Sequence, residues 1–213
     1  QKDNLFGQAY SLRALCYFHL IQFYQQTYIG HEQAPGVPLY ITPTTSSTPG
    51  NPRGTVEEVY ARINKDIERG ISLLKDAEEQ GVTQIHKSHI DYYVANGIKS
   101  RIALVQNRWK DALDAAQIAL EKPDLKLAGT SDLTKGFNQL GMVSVLWGAE
   151  IQKSDQIGAY ASFFGHMDAT AGMHGSYDRK CISAWLYKQM GLQDIRRISW
   201  WKGEIATALE ASF

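Results

Sequence analysis

From position 5 to 26 the apolar residues fall at Leu5, Ala9, Leu12, Cys16, Leu20 and Phe23, in steps of three and four with no proline among them. That spacing predicts a long amphipathic helix with these six on its apolar face. The period stops near Tyr28, and positions 37–41 read as a short extended run. Positions 42–54 hold Pro43, Pro49, Pro52, Gly50 and a cluster of Ser and Thr, which is loop chemistry. A second helix opens at Thr55. Thr55-Val56-Glu57-Glu58 is a capping box, in which the Thr side chain accepts a first-turn amide and Glu58 reaches back. Val56, Val59, Tyr60, Ile63, Ile67, Ile71 and Leu74 mark one face of this helix, and Gly81 lies at its end. A third helix starts at Ser88, with Asp91 three residues on, and runs through Tyr92, Ala95, Ile98, Ile102 and Val105. After a turn at Asn107-Arg108, a fourth runs from Trp109 to about Glu121 with Trp109, Leu113, Ala116 and Leu120 expected to be buried, and Pro123 stops it.

Ala95, Gly97, Ala103, Ala112, Ala115, Ala116 and Ala119 let the third and fourth helices approach closely, and the bulk of Trp109 suits the turn between them. Small residues on facing helices, an aromatic at the turn and a terminal Pro form the pattern of a tetratricopeptide unit; a plain antiparallel hairpin is the alternative. Beyond Pro123 glycines punctuate shorter apolar runs. Positions 142–147 suggest a small strand, 182–190 a helix ended by Gly191, and 204–211 a last short helix. The expectation is a mainly α fold in one domain over 1–213, with a helical scaffold over 1–125 and a loop-rich part over 126–213, where a site would sit.

The 213 residues suffice for a substantial core without disulfides or metal. At 44% hydrophobic and 21% charged the chain is too apolar to be disordered. Its 22 basic and 22 acidic side chains cancel, so no overall field draws a nucleic acid. No stretch approaches the ~20 consecutive apolar residues of a membrane-spanning helix. Cys16 and Cys181 lie in apolar segments and read as small buried hydrophobes. Residues 1–6 lack the features of a signal peptide and look like helix interior, which suggests a mature chain or a piece of a longer one.

No phosphate loop, nucleophile elbow, Cys-x-x-Cys or His-Glu-x-x-His occurs, so no catalytic, metal or cofactor residue is nominated. His86 and His89 read as a solvated helix start rather than metal ligands. Aromatic rings in the predicted loops stand out instead. A ring offers its apolar face to the C–H side of a sugar while nearby polar groups bond the hydroxyls. Trp147, Phe163 and Trp200 are expected to be core. The candidate ligand residues are Tyr28, His31, Tyr160, His166, His174, Tyr177 and Asp178.

Five segments in order resemble the SusD/RagB family of outer-membrane nutrient-binding lipoproteins. They are Gln8-Ala9-Tyr10-Ser11-Leu12-Arg13-Ala14-Leu15-Cys16-Tyr17-Phe18, then Gly36-Val37-Pro38-Leu39, then Arg53-Gly54-Thr55-Val56-Glu57-Glu58-Val59-Tyr60 with Ile63 and Asp66, then Lys99 to Leu104 with Trp109-Lys110-Asp111-Ala112, and last Asp194-Ile195-Arg196. The resemblance implies a non-enzymatic surface protein that captures a glycan, or sometimes a peptide, and passes it to a TonB-dependent SusC-like transporter. It also implies an N-terminal lipid anchor, which neither cysteine can carry, and a longer parent chain. The segment from Tyr28 to Pro35 is longer than in many relatives, and Asn96-Gly97 stands where an Ala pair is usual. The competing reading is a tetratricopeptide adaptor binding a peptide, which expects three or more repeats. A helical carbohydrate-active enzyme is a third.

Overall fold

The computed structural model describes residues 1–82, 84, 86–133, 139–150 and 182–200. They fall into two compact units: those within residues 1–126 and 143–149, and those within 127–133, 139–142, 150 and 182–200. In the first unit lie α1 (Lys2–Tyr24), β1 (Pro35–Pro38), β2 (Arg53–Thr55), α2 (Val56–Glu79), α3 (Tyr92–Val105) and α4 (Trp109–Leu120). In the second lie α5 (Thr130–Leu133), α6 (Ala184–Gln189) and α7 (Ile195–Trp200). The fold is mainly α, with paired helical hairpins as expected.

α1 and α2 run antiparallel. Gly7 meets Leu74 and Gly70 at one end, and Phe18 meets Tyr60 edge-on at the other, with ring centroids 6.5 Å apart. The helices touch backbone to backbone at the first end, where a Cβ added to Gly70 would stand 2.3 Å from Ser11 Oγ and 3.0 Å from Gly7 O. Between the two ends, Asp66 is fully buried. It accepts Arg13 Nε at 2.7 Å and Nη2 at 2.8 Å, and also both forks of Arg62 from one turn earlier on α2. The hydrophobic core of this unit includes Ile63, Ile67, Val56, Val59, Phe18 and Ile21, each burial worth about 1.5–3 kcal/mol over exposure.

The capping box at Thr55 is present in full, with Thr55 Oγ1 accepting Glu58 N–H and Glu58 accepting Thr55 N–H. β1 pairs antiparallel with β2, a shorter strand than positions 37–41 suggested. Gly81, at φ 79°, lets the chain leave α2. Asp91, rather than Ser88, caps the third helix, its side chain accepting Val94 N–H.

Two expectations about faces fail for one reason. On α1 the residues that turn inward are Gly7, Ser11, Ala14, Leu15, Tyr17, Phe18 and Ile21. The predicted apolar face points outward, with Leu5 69% and Phe23 82% exposed and Cys16 exposed rather than buried. On α4 the inward residues are Ala112, Ala115 and Ala119, while Trp109 is 62% and Leu113 57% exposed, and Leu120 is exposed too. Both helices carry apolar residues on two faces; on α4 the small-residue face wins, and on α1 the face that wins sets Gly7 and Ser11 against Gly70, where the backbones approach closely, beside the larger Leu15, Phe18 and Ile21. Ser100 Oγ donates to Ala112 O at 2.8 Å across the α3–α4 contact. Positions 142–147 form turns rather than a strand, and Trp147 is exposed, its indole N–H donating to Ser88 O at 3.0 Å.

In the second unit α6 is capped by Ser183, whose hydroxyl accepts Leu186 N–H, and Gly191 follows it closely. Ahead of α7 Asp194 pairs with Arg196 at 2.6 Å. Positions 204–211, Cys181 and Phe163 lie outside the described residues.

Burial alone would raise the Asp66 carboxyl, but the hydrogen bonds from Arg13 and Arg62 outweigh it and hold the group below the usual carboxylate range. A depressed folded value stabilises at neutral pH and the stabilisation fades as pH falls through that value. Asp66→Asn is therefore expected to lower unfolding free energy at pH 7 by about 3–5 kcal/mol in a denaturant titration, since two guanidiniums lose their counter-charge. Below about pH 3.9 the gap between wild type and variant should close.

Candidate ligand-binding site

The turn after α1 sits on the N-terminus of α2, and hydrogen bonds make it a fixed ledge. Tyr28 O accepts His31 N–H at 3.0 Å, and His31 O accepts Ala34 N–H at 2.9 Å. Glu32 O and Ala34 O then accept the first free amides of α2, Glu57 N–H and Val56 N–H, each at 2.9 Å. Gly30, at φ 81°, gives its N–H to Glu32 Oε1 at 3.1 Å. Amides of the turn lower the Glu32 carboxyl from its ordinary value.

The structure thus brings two of the candidate residues, Tyr28 and His31, onto one turn. The Tyr28 ring is half-buried, edge-on to Tyr60 at 4.7 Å between centroids, and its hydroxyl donates to Glu57. Burial first, and the Glu57 carboxylate second, push this phenol up. Burial likewise pushes Tyr60 up to about 12. His31 is partly exposed, with Nδ1 3.0 Å from Thr27 O. Tyr160, His166, His174, Tyr177 and Asp178 lie outside the described residues.

One polar group here had no sequence signal. Gln106, the C-cap of α3, is buried beside Tyr28, and its Oε1 has no hydrogen-bond partner among the described residues. A lone Gln at a helix end looks like any surface amide, and only the packing of α3 against α2 buries it. Beside the ledge, the loop between β1 and β2 is closed by tyrosines. Tyr17 Oη accepts Tyr40 N–H at 2.6 Å and donates to Tyr40 O at 3.0 Å. Asn51 gives its N–H to Tyr40 Oη at 3.0 Å and its side-chain amide to Leu39 O at 2.7 Å. Arg13 Nη1 donates to Ile41 O at 3.2 Å, which ties the loop to the Asp66 cluster.

Among the described residues no three His, Cys, Asp or Glu side chains converge as a metal site would need. His86 and His89 stack edge-on at 5.3 Å. No helix among those residues is long and apolar enough to cross a membrane.

Paired antiparallel helices with their small residues in contact, and a polar ledge at one end, define a scaffold of tetratricopeptide-like hairpins. Residues 1–104 match the SusD-like family model described as "Starch-binding associating with outer membrane", and this stretch, which holds the first three motifs and Lys99 to Leu104 of the fourth, is SusD-like. A SusD-like carbohydrate-binding protein from Bacteroides vulgatus ATCC 8482 shares 25% identity at a TM-score of 0.78, over 92% of this chain and 40% of that one. A SusD superfamily protein from Bacteroides thetaiotaomicron VPI-5482 superposes at a TM-score of 0.64 with 20% identity, over 78% of this chain and 34% of its own. Another, from Bacteroides fragilis, has 30% identity and a TM-score of 0.51 over 62% of this chain and 29% of its own. The chain therefore spans at most 40% of these solved relatives. No curated protein matches it.

Tyr28→Phe removes the hydroxyl donor to Glu57 but keeps the ring on Tyr60. Because the pair is solvent-exposed on one side, the expected loss in a denaturant titration is less than about 1 kcal/mol. Tyr60→Phe should remove one tyrosine that ionises near pH 12 from an absorbance titration at alkaline pH.

Proposed function

We propose that this chain is the scaffold-bearing part of a non-catalytic glycan-binding protein. In this reading the protein stands at the outer-membrane surface on a lipid anchor and delivers oligosaccharide to a TonB-dependent, SusC-like transporter. The observation that carries the reading is the likeness to the B. vulgatus carbohydrate-binding protein across 92% of the chain. The description of the family model, which associates it with starch and the outer membrane, supports the same reading. The chemistry agrees with it. A chain with 22 positive and 22 negative side chains has no field for a charged polymer, whereas loop aromatics and neutral hydrogen-bonding groups suit a sugar.

Tyr28 and His31 on the ledge, with Tyr160, His166, His174, Tyr177 and Asp178, are the residues proposed to contact the ligand. The adaptor reading needs three or more repeats, and the described residues hold two long hairpins, α1–α2 and α3–α4.

The test is calorimetry of the purified protein against a panel of oligosaccharides, with a reducing-end assay on the same mixtures. Saturable binding with no new reducing ends is expected, and Tyr28→Ala or Tyr177→Ala should weaken binding about tenfold while the far-ultraviolet spectrum stays unchanged. Cleaved products, or silence across the panel, would sink the reading.

A further inference from the structure

At the end of the α1–α2 pair away from the Tyr28 ledge, a concavity opens. The first turns of α1 and α3, the last turn of α2 and residues 143–145 enclose a cleft of about 660 Å³, within the range of small-ligand sites. α1 alone separates the two ends by roughly 34 Å, from its 23 residues. Leu74, Ala77 and Ile90, all buried, give the cleft an apolar floor.

The wall opposite is polar and locked. Lys122 and Asp91 pair there with side chains only 16% and 17% exposed. Asp91 Oδ1 accepts Val94 N–H at 2.8 Å, and Lys122 Nζ also donates to Gln84 Oε1 at 3.0 Å. Gln84 gives its side-chain amide to His89 O. The ammonium lies 5.5 Å from the centre of the Tyr93 ring. Tyr93 in turn bonds to the Glu78 carboxylate, which pushes the phenol up to about 12 and keeps its proton in place at ordinary pH. Tyr92 and Tyr93 stand edge to face at 5.4 Å.

Three features of this wall select a class of ligand. Its charges nearly cancel: Lys87 and Lys122 stand against Glu78, Asp91 and Asp124, a net of one negative charge, so an anion gains nothing by entering. It also sets donors beside acceptors. An ammonium has three N–H groups and a carboxylate about four lone-pair sites, so Lys122 and Asp91 can each take a further partner without breaking their pair. Finally, the tyrosines and the apolar floor present C–H surface next to these groups. A molecule with alternating hydroxyls and C–H faces, and no net charge, matches all three.

We propose that this cleft is a second carbohydrate subsite that holds one or two units of a neutral oligosaccharide. The inference rests on the glycan-binding reading and places a contact at a position remote from the ledge. Lys122 and Asp91 orient one sugar edge, and Tyr92 and Tyr93 flank its face.

The experiment is calorimetry of the 213-residue protein with maltotriose, cellotriose and mannotriose, and with trigalacturonate as the charged comparison. Two cleft variants are compared with Tyr28→Ala. Val143→Trp fills the mouth from a side chain that is 47% exposed, so it leaves the core alone. Lys122→Met removes the ammonium. Each cleft variant is expected to weaken binding of at least one neutral trisaccharide about tenfold, with the melting temperature of Val143→Trp unchanged. If Lys122→Met melts early, Val143→Trp decides alone. Binding untouched by Val143→Trp but abolished by Tyr28→Ala overturns the cleft and leaves the glycan reading standing. Tighter binding of trigalacturonate than of the neutral sugars overturns the ligand class. Failure of every sugar to bind the unsubstituted protein overturns the glycan reading and the cleft with it.

Discussion

The first unit depends on one buried carboxylate. Asp66 lies in the middle of α2, fully enclosed, and only the two guanidiniums of Arg13 and Arg62 keep its charge tolerable. Because Arg13 is on α1, satisfying Asp66 fixes the rotation and the axial position of α1 against α2. Because Arg13 also reaches Ile41 O, it sets where the chain leaves β1. The hydrophobic contacts of Ile63, Ile67 and Phe18 supply more free energy in sum, but they are compatible with several registers. The ion cluster is compatible with one.

That difference explains which parts of the fold were legible in the sequence. The capping box at Thr55 and the stop at Gly81 are local, and the positions of α2 and its inward face follow from them. The faces of α1 and α4 are not local. Leu5, Leu12, Leu20 and Phe23 keep perfect helical spacing, yet they turn away because Gly7 and Ser11 fit the backbone of α2 at Gly70. Periodicity identifies an apolar stripe, but when a helix has two stripes the choice is made by the partner. The tetratricopeptide pattern foresaw small-residue contact between α3 and α4 and misjudged only Trp109 and its companions.

The ledge was legible to a lesser degree. Tyr28 and His31 stood out as an aromatic and an imidazole among loop residues, and the structure does put them on one turn. What the sequence could not convey is that the Tyr28 hydroxyl is already committed to Glu57, or that Gln106 from a helix some 75 positions later comes up beside it. Such neighbours arise from helix packing and leave no mark on the local pattern. The same holds for Lys122 and Asp91, which in the sequence are a lysine past a helix end and the residue three on from a helix start at Ser88, until α4 returns along α3.

The tyrosine clasp around Tyr40 carries a consequence of another kind. Both backbone groups of Tyr40 are held by Tyr17 Oη, and Asn51 closes the far side on Tyr40 Oη and Leu39 O. The two feet of the intervening loop are thus fastened independently of what lies between them, and lengthening such a loop adds only a slowly growing closure entropy. Positions 42–50 are thereby the span where a change of length costs the helices beneath least. Substitutions, insertions or a grafted recognition segment could be exchanged there while the helices beneath stay in register, so the scaffold can diversify what it meets without renegotiating how it folds.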